Sequence, residues 1–76
     1  MEKEAVVSSS VAWVGYEASS RVLVVGFVRG TVYEFFDVPV LEHQALMRAA
    51  SKGRQFNAFI KGRYPHRRVA GSARWN

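Results

Sequence analysis

Between Arg21 and Phe36 the chain reads RVLVVGFVRGTVYEFF, a run that leaves little choice of local structure. Leu23, Val25 and Phe27 recur at every second position, as do Tyr33 and Phe35 after a break at Arg29-Gly30. A period of two places each set on one face of a strand. β-Branched and aromatic side chains dominate both runs, as suits a pleated, half-buried surface. Glycine at the break supplies the positive φ of a tight hairpin, so Arg29-Gly30 is expected as a two-residue turn. Arg21 to Val28 and Thr31 to Phe36 then form an antiparallel pair, with Val32, Glu34 and Phe36 on the face opposite Tyr33 and Phe35. Upstream, Val11 to Tyr16 is a further strand, joined through the polar segment Glu17-Ala18-Ser19-Ser20. Two short connections between consecutive strands make an antiparallel meander.

Strand character stops at Pro39, a residue suited to the first turn of a helix. Val40 to Ala50 has helix-forming composition and two candidate inward faces: Leu41, Ala45 and Ala49, or His43, Leu46, Met47 and Ala50. Ser51 can end this helix and cap the next. There Phe56, Phe59 and Ile60 form an i, i+3, i+4 apolar stripe, and Gly62 suits the helix end. Pro65 disfavours α conformation at Tyr64, so residues 63–68 are expected to be irregular. The expected class is α+β: a three-stranded antiparallel β-meander followed by two helices packed on one face. One domain spans residues 8–69, between an N-terminal tail at 1–7 and a C-terminal tail at 70–76. The expected core is Leu23, Val25, Phe27, Tyr33, Phe35, Leu46, Phe56, Phe59 and Ile60.

With 76 residues and no cysteine, neither disulfides nor a thiolate metal site can staple the fold. Stability must come from packing, and a hydrophobic content of 49% is enough to attempt it. No apolar run approaches the roughly 20 residues of a membrane span, and Met1-Glu2-Lys3-Glu4 is unlike the basic start of a signal peptide. The expectation is a cytoplasmic protein with no membrane partner.

The charge is divided along the chain. Residues 1–42 carry three cations against six acids, a balance of −3, whereas residues 43–76 carry eight cations and no acid, a balance of +8. Like charges on half of a small domain repel one another, and a polyanionic partner is a common reason to keep them. Six of those eight are arginines, the better side chain for bidentate phosphate contacts and for stacking on bases.

Several short motifs occur in a specific order and spacing. They are Ser8-Ser9, Gly15-Tyr16, Leu23-x-Val25-x-Phe27-x-x-Gly30 and Val32-Tyr33-Glu34-Phe35-Phe36-x-Val38-Pro39, then Ala49-x-Ser51-Lys52-Gly53-x-x-Phe56-Asn57-x-x-Ile60 and Tyr64-Pro65. Together they resemble the KTSC domain, a short bacterial module named for its occurrence at the C-terminus of some lysyl-tRNA synthetases. The family's central Tyr-x-Tyr stands here as Tyr33-Glu34-Phe35, and His43 stands where the resemblance implies a larger aromatic. The resemblance implies the α+β fold. It brings no established activity, and RNA binding is the suggestion attached to such modules.

Catalysis finds little support. A triad needs a nucleophile, a base and an orienting acid, but His43 lies in a helix, and His66 lies in a basic segment with no acid after residue 42. Ser8-Ser9-Ser10 reads as a polar lead-in to a strand, and no Gly-rich phosphate loop is present. The chain is therefore read as a binding module and not an enzyme, with no cofactor and no metal site.

Ser51-Lys52-Gly53-Arg54 begins a helix, where free amides and a partial positive charge attract anions. The same four residues also read as an ordinary cap with a glycine required by packing. Lys61-Gly62-Arg63-Tyr64-Pro65-His66-Arg67-Arg68 interleaves cations with an aromatic, the composition of a single-strand surface on which Tyr64 stacks and the cations follow phosphates. Alternatively, Tyr64-Pro65 closes the domain against the sheet. Tyr33 and Phe35 are read as covered by the helices. Val24, Val32 and Phe36 would leave the other face apolar enough for a protein partner.

The expected function is nucleic-acid binding, RNA before DNA, through a basic helical and C-terminal surface. Backbone electrostatics would dominate it. The expected binding residues are Ser51, Lys52, Gly53, Arg54, Lys61, Arg63, Tyr64, Arg67 and Arg68. The alternative is a protein-interaction adaptor that docks on a larger transcription or translation machine.

Overall fold

The structure, a computed structural model, describes residues 2–6 and 8–69; the expected C-terminal tail, with Trp75, lies outside them. Seven elements follow in order: β1 (Glu2–Ala5), β2 (Val11–Glu17), β3 (Val22–Phe27), β4 (Val32–Phe35), α1 (Val40–Arg48), α2 (Lys52–Phe59) and β5 (His66–Arg68). The α+β class and the central β2-β3-β4 meander are as expected. The sheet, however, has five strands in the order β1-β2-β3-β4-β5, with all neighbours antiparallel.

Both extra strands correct the reading from sequence. Where a tail was expected, β1 pairs Lys3 with Gly15 and Ala5 with Trp13. Where irregular chain was expected, β5 pairs Tyr33 with Arg68 and Phe35 with His66. Hydrogen bonds from Phe36 N–H to the Pro65 carbonyl and from Val69 N–H to the Val32 carbonyl, both 2.8 Å, extend that ladder. Edge strands join through backbone groups and favour charged side chains, so neither shows the apolar alternation that marks an inner strand.

The hairpin turn also differs by one residue. Gly30 N–H donates to the Phe27 carbonyl and Phe27 N–H to the Thr31 carbonyl, each at 2.9 Å. The loop is therefore Val28-Arg29-Gly30. Gly30 has φ +102°, the left-handed residue that ends three-residue hairpin loops.

The two sheet faces are built differently. Leu23, Val25 and Phe35 join Val11, Val14, Val38, Leu46, Phe56 and Ile60 in the core beneath the helices, with Phe27, Tyr33, Tyr16, Met47 and Tyr64 packed around them. Phe59, expected in that core, is 46% exposed. On α2 the inward face is set by Phe56 and Ile60, and Phe59 falls about a quarter turn off it at 3.6 residues per turn. On α1 the inward choice is His43, Leu46 and Met47, while Leu41 is 73% exposed.

The opposite sheet face is not the open apolar patch expected from Val24, Val32 and Phe36, because both valines are buried and Phe36 is half-buried. The Trp13 indole lies over Gly26, filling the space a Cβ would need, and Gly26 pairs with Val32 across the ladder. An ion pair between Glu34 and Arg67 lies beside Val24, and the Lys3 ammonium sits 5.3 Å from the Trp13 ring centroid.

The passage from sheet to helix is held at Val38, which has no exposed surface. Its N–H donates to the Arg21 carbonyl at 2.9 Å, and its carbonyl accepts from the Tyr16 hydroxyl at 2.6 Å. The Tyr16 ring stacks on His43 of α1, with centroids 4.5 Å apart and planes within 10°. Between the helices, the Lys52 ammonium donates to the Ala49 carbonyl at 2.8 Å, satisfying an acceptor that the end of α1 leaves open. Among the described residues no helix is long and apolar enough to cross a membrane.

Two outcomes follow from the Tyr16 contacts. Tyr16→Phe leaves the buried Val38 carbonyl without its donor and should cost about 1–3 kcal/mol. Each kcal/mol corresponds to about 4–8 °C in the thermal midpoint of a domain this size, read by circular dichroism. Burial, partly opposed by Glu4, lowers the pKa of His43 below its ordinary value. The unfolded chain then takes up a proton near pH ~6.5 that the folded chain resists. Stability should fall as the pH drops below that value and be level above it. Denaturation midpoints from pH ~7 to ~5 should show this decline in the native chain and a smaller one in His43→Phe.

Candidate nucleic-acid interface

The nine residues expected to bind do not form one surface. Ser51 is the N-cap of α2, its hydroxyl accepting from Arg54 N–H at 3.3 Å. Lys52 reaches back to α1. A Cβ on Gly53 would stand 2.7 Å from the Ser10 hydroxyl oxygen, so this glycine admits the chain ahead of β2. That chain is itself held by Ser8, whose hydroxyl accepts from the N–H groups of Ser10 and Val11 at 3.2 Å each. At the start of α2, then, three of the four residues have internal partners and Arg54 is exposed.

The C-terminal cluster is divided as well. Tyr64 is half-buried against the core, and its hydroxyl donates to Glu42 at 3.3 Å. Burial, reinforced by the Glu42 carboxylate, pushes its pKa up, so the hydroxyl keeps its proton and remains a donor. Arg67 and Arg68 lie in a strand and therefore point to opposite faces. Arg67 joins Glu34 through Nε at 3.1 Å and Nη2 at 2.7 Å, while Arg68 stands opposite Tyr33 on the helix side. Lys61 and Arg63 are exposed on the turn after α2. That turn closes from Arg63 N–H to the Ile60 carbonyl, with Gly62 at φ +77°.

Of the nine, Lys61 lines a cleft of about 650 Å³ between the β3-β4 hairpin, α2 and β5. Its floor is aromatic: Phe27, Tyr33, Phe35 and Phe56. The Phe56 ring stands edge-on to Phe27 and to Phe35, each at 5.3 Å between centroids, and the His66 ring lies 5.8 Å from Tyr33 and 5.7 Å from Phe35. Ser9, Ser10 and Asn57 supply polar atoms to the wall, and Arg29 and Lys61 supply charge, with no carboxylate among the lining residues. Such a site offers apolar planes, hydrogen-bonding groups and positive charge together.

Most of this cleft was missed from sequence. Tyr33 and Phe35 are both expected beneath the helices; Phe35 is buried there, but Tyr33 is half-exposed. Arg29 belongs to the acidic half of the chain, so a division of charge by sequence position hides it. His66 falls in the segment expected to be irregular, whereas β5 brings its ring beside Tyr33 and Phe35. The available signal is Asn57, a polar residue between Phe56 and Phe59 with no part in the expected core.

Comparisons with known proteins agree with one another. Residues 7–64 match the family model of the KTSC domain. The chain is 38% identical over 55 residues to a lysine–tRNA ligase of Trichormus variabilis and 45% identical over 49 residues to that of Nostoc punctiforme. These matches cover 72% and 64% of this chain but only 10% and 9% of the ligases. An uncharacterized protein of Stutzerimonas stutzeri is 39% identical over 61 residues, covering 80% of this chain and 86% of that protein. The crystal structure of a KTSC domain protein from Yersinia pestis superimposes with a TM-score of 0.87 at 35% identity, covering 90% of this chain and 96% of that one. In sequence and in fold, this chain belongs to the KTSC domain family.

Proposed function

We propose that the chain is a non-enzymatic nucleic-acid-binding domain, RNA before DNA, whose contact surface is the mouth of the aromatic cleft. The observation that carries this reading is the convergence of Arg29, from the hairpin, and Lys61, from the turn after α2, on a cleft without a carboxylate. Arg63 on the same turn and Arg68 opposite Tyr33 extend the positive surface. Phosphate contacts from such cations supply affinity that does not depend on sequence. RNA is favoured over DNA because segments similar to this chain form part of proteins named lysine–tRNA ligases, and a tRNA is an RNA.

The test is fluorescence anisotropy with single-stranded RNA and DNA over a range of salt. Log affinity should fall against log salt with a slope of about −0.7 per phosphate contact. Changing Arg29, Lys61 and Arg63 together to alanine should reduce that slope by about 2 and shift stability by no more than about 0.5 kcal/mol. Lys52→Met should do the reverse: the midpoint falls through loss of the contact with Ala49, and the slope is unchanged. Absence of binding at about 50 mM salt would sink the proposal.

The adaptor reading has one feature in its favour. Leu41 is 73% and Val40 47% exposed at the start of α1, beside a shallow groove lined by Tyr16, Arg21 and Pro39. Under that reading Leu41→Lys abolishes partner binding and leaves the salt-dependent RNA signal untouched.

A further inference from the structure

The electrostatic reading needs only a positive surface, and it leaves the interior of the cleft without a role. That interior is specific in its chemistry. Phe35 and Phe56, 3% and 6% exposed, close the bottom, while Phe27 and Tyr33 are half-exposed and the His66 ring is exposed at the side. The rings meet at steep angles: 80° between Phe27 and Tyr33, and 62° between Tyr33 and His66. They therefore form an angled recess and not a flat plate. A planar group can lie against one ring face while its edge meets the next. The opening is of the size of small-ligand sites.

The wall adds direction. Asn57 follows Gly53 by four residues on α2, which places it one turn along the helix toward the cleft. Its amide presents a donor and an acceptor side by side, the pairing that suits a nucleobase edge. Ser9 adds a hydroxyl from the chain before β2. Neither side chain has a hydrogen-bond partner among the described residues. Arg29 and Lys61 stand at the same opening, where an anion attached to the planar group would lie.

We propose that this cleft is a nucleotide site that takes one unpaired base of a single strand. The base packs against Tyr33 and His66, its edge meets Asn57 and Ser9, and its flanking phosphates lie on Arg29 and Lys61. This deepens the nucleic-acid reading and rests on it. A base inside a duplex cannot enter, because its faces are stacked and its edge is paired. The domain is accordingly selective for single strands, a property that surface charge alone does not confer. An apolar peptide side chain would fill the aromatic floor equally well but has no use for the two cations or the amide.

The experiment compares three probes of about ten nucleotides: a single-stranded RNA, the same backbone without bases, and the duplex. The single strand should bind at least about tenfold more tightly than either of the others. In heteronuclear NMR, added adenosine or uridine monophosphate should move the side-chain amide signal of Asn57. Asn57→Ala, at an exposed position, should bring single-strand affinity down to that of the abasic strand without changing the thermal midpoint. Tyr33→Leu should do the same, and Asn57→Ala decides the matter if that variant folds poorly. Equal affinity for the base-bearing and abasic strands, with the Asn57 signal unmoved, would overturn the nucleotide site and leave the electrostatic reading standing. Failure of all three probes to bind would overturn both.

Discussion

The backbone of Val38 is the point from which the rest of the domain takes its position. A buried peptide group must find partners for both N–H and C=O, and here both come from the neighbourhood of the β2-β3 connection: the Arg21 carbonyl and the Tyr16 hydroxyl. This directs Pro39 and α1 back across the sheet instead of letting the chain continue as a strand. The stack of Tyr16 on His43 sets the rotation of α1, and the bond from Lys52 to Ala49 ties α2 to its end. Phe56 and Ile60 then reach the sheet, and the chain returns along the free edge of β4 as β5.

That return creates the cleft. The helices bury Leu23, Val25 and Phe35 but leave Phe27, at the end of β3, and Tyr33, in β4, only half-covered. The hairpin loop, held by Gly30, brings Arg29 to one rim, and the turn at Gly62 brings Lys61 to another. The two groups, residues 27–33 and residues 61–62, are far apart in sequence. Their chemistry becomes collective only because β5 docks beside β4 and carries His66 over the aromatic pair.

The same geometry separates residues that a linear reading groups together. Arg67 and Arg68 are adjacent, yet the strand turns one toward Glu34 and the other toward the cleft side. An exposed ion pair such as Arg67–Glu34 contributes only about 0–1 kcal/mol, so its main effect is on where the charge is directed. Tyr64 shows a comparable division. Its place beside Arg63 reads as a stacking platform, but Pro65 turns it inward, and its hydroxyl settles on Glu42.

Period-two alternation by itself determined the strand pair, the meander and which residues share a face, since side chains on a strand alternate between two directions. Local chemistry likewise placed the cap at Ser51 and the positive φ at Gly30. The edge strands, the choice of inward face on α1, the exposure of Phe59 and the burial of Val24 and Val32 were decided only in the folded molecule. Edge pairing uses backbone groups common to every residue, and helix faces are chosen by what they pack against. The cleft belongs to this second group. Its aromatic floor was visible in the sequence, but whether a floor is covered or open depends on where α2 ends and β5 begins. Gly62 marks the first of these points locally, whereas the second is set by the docking of β5 on β4, which no local signal encodes.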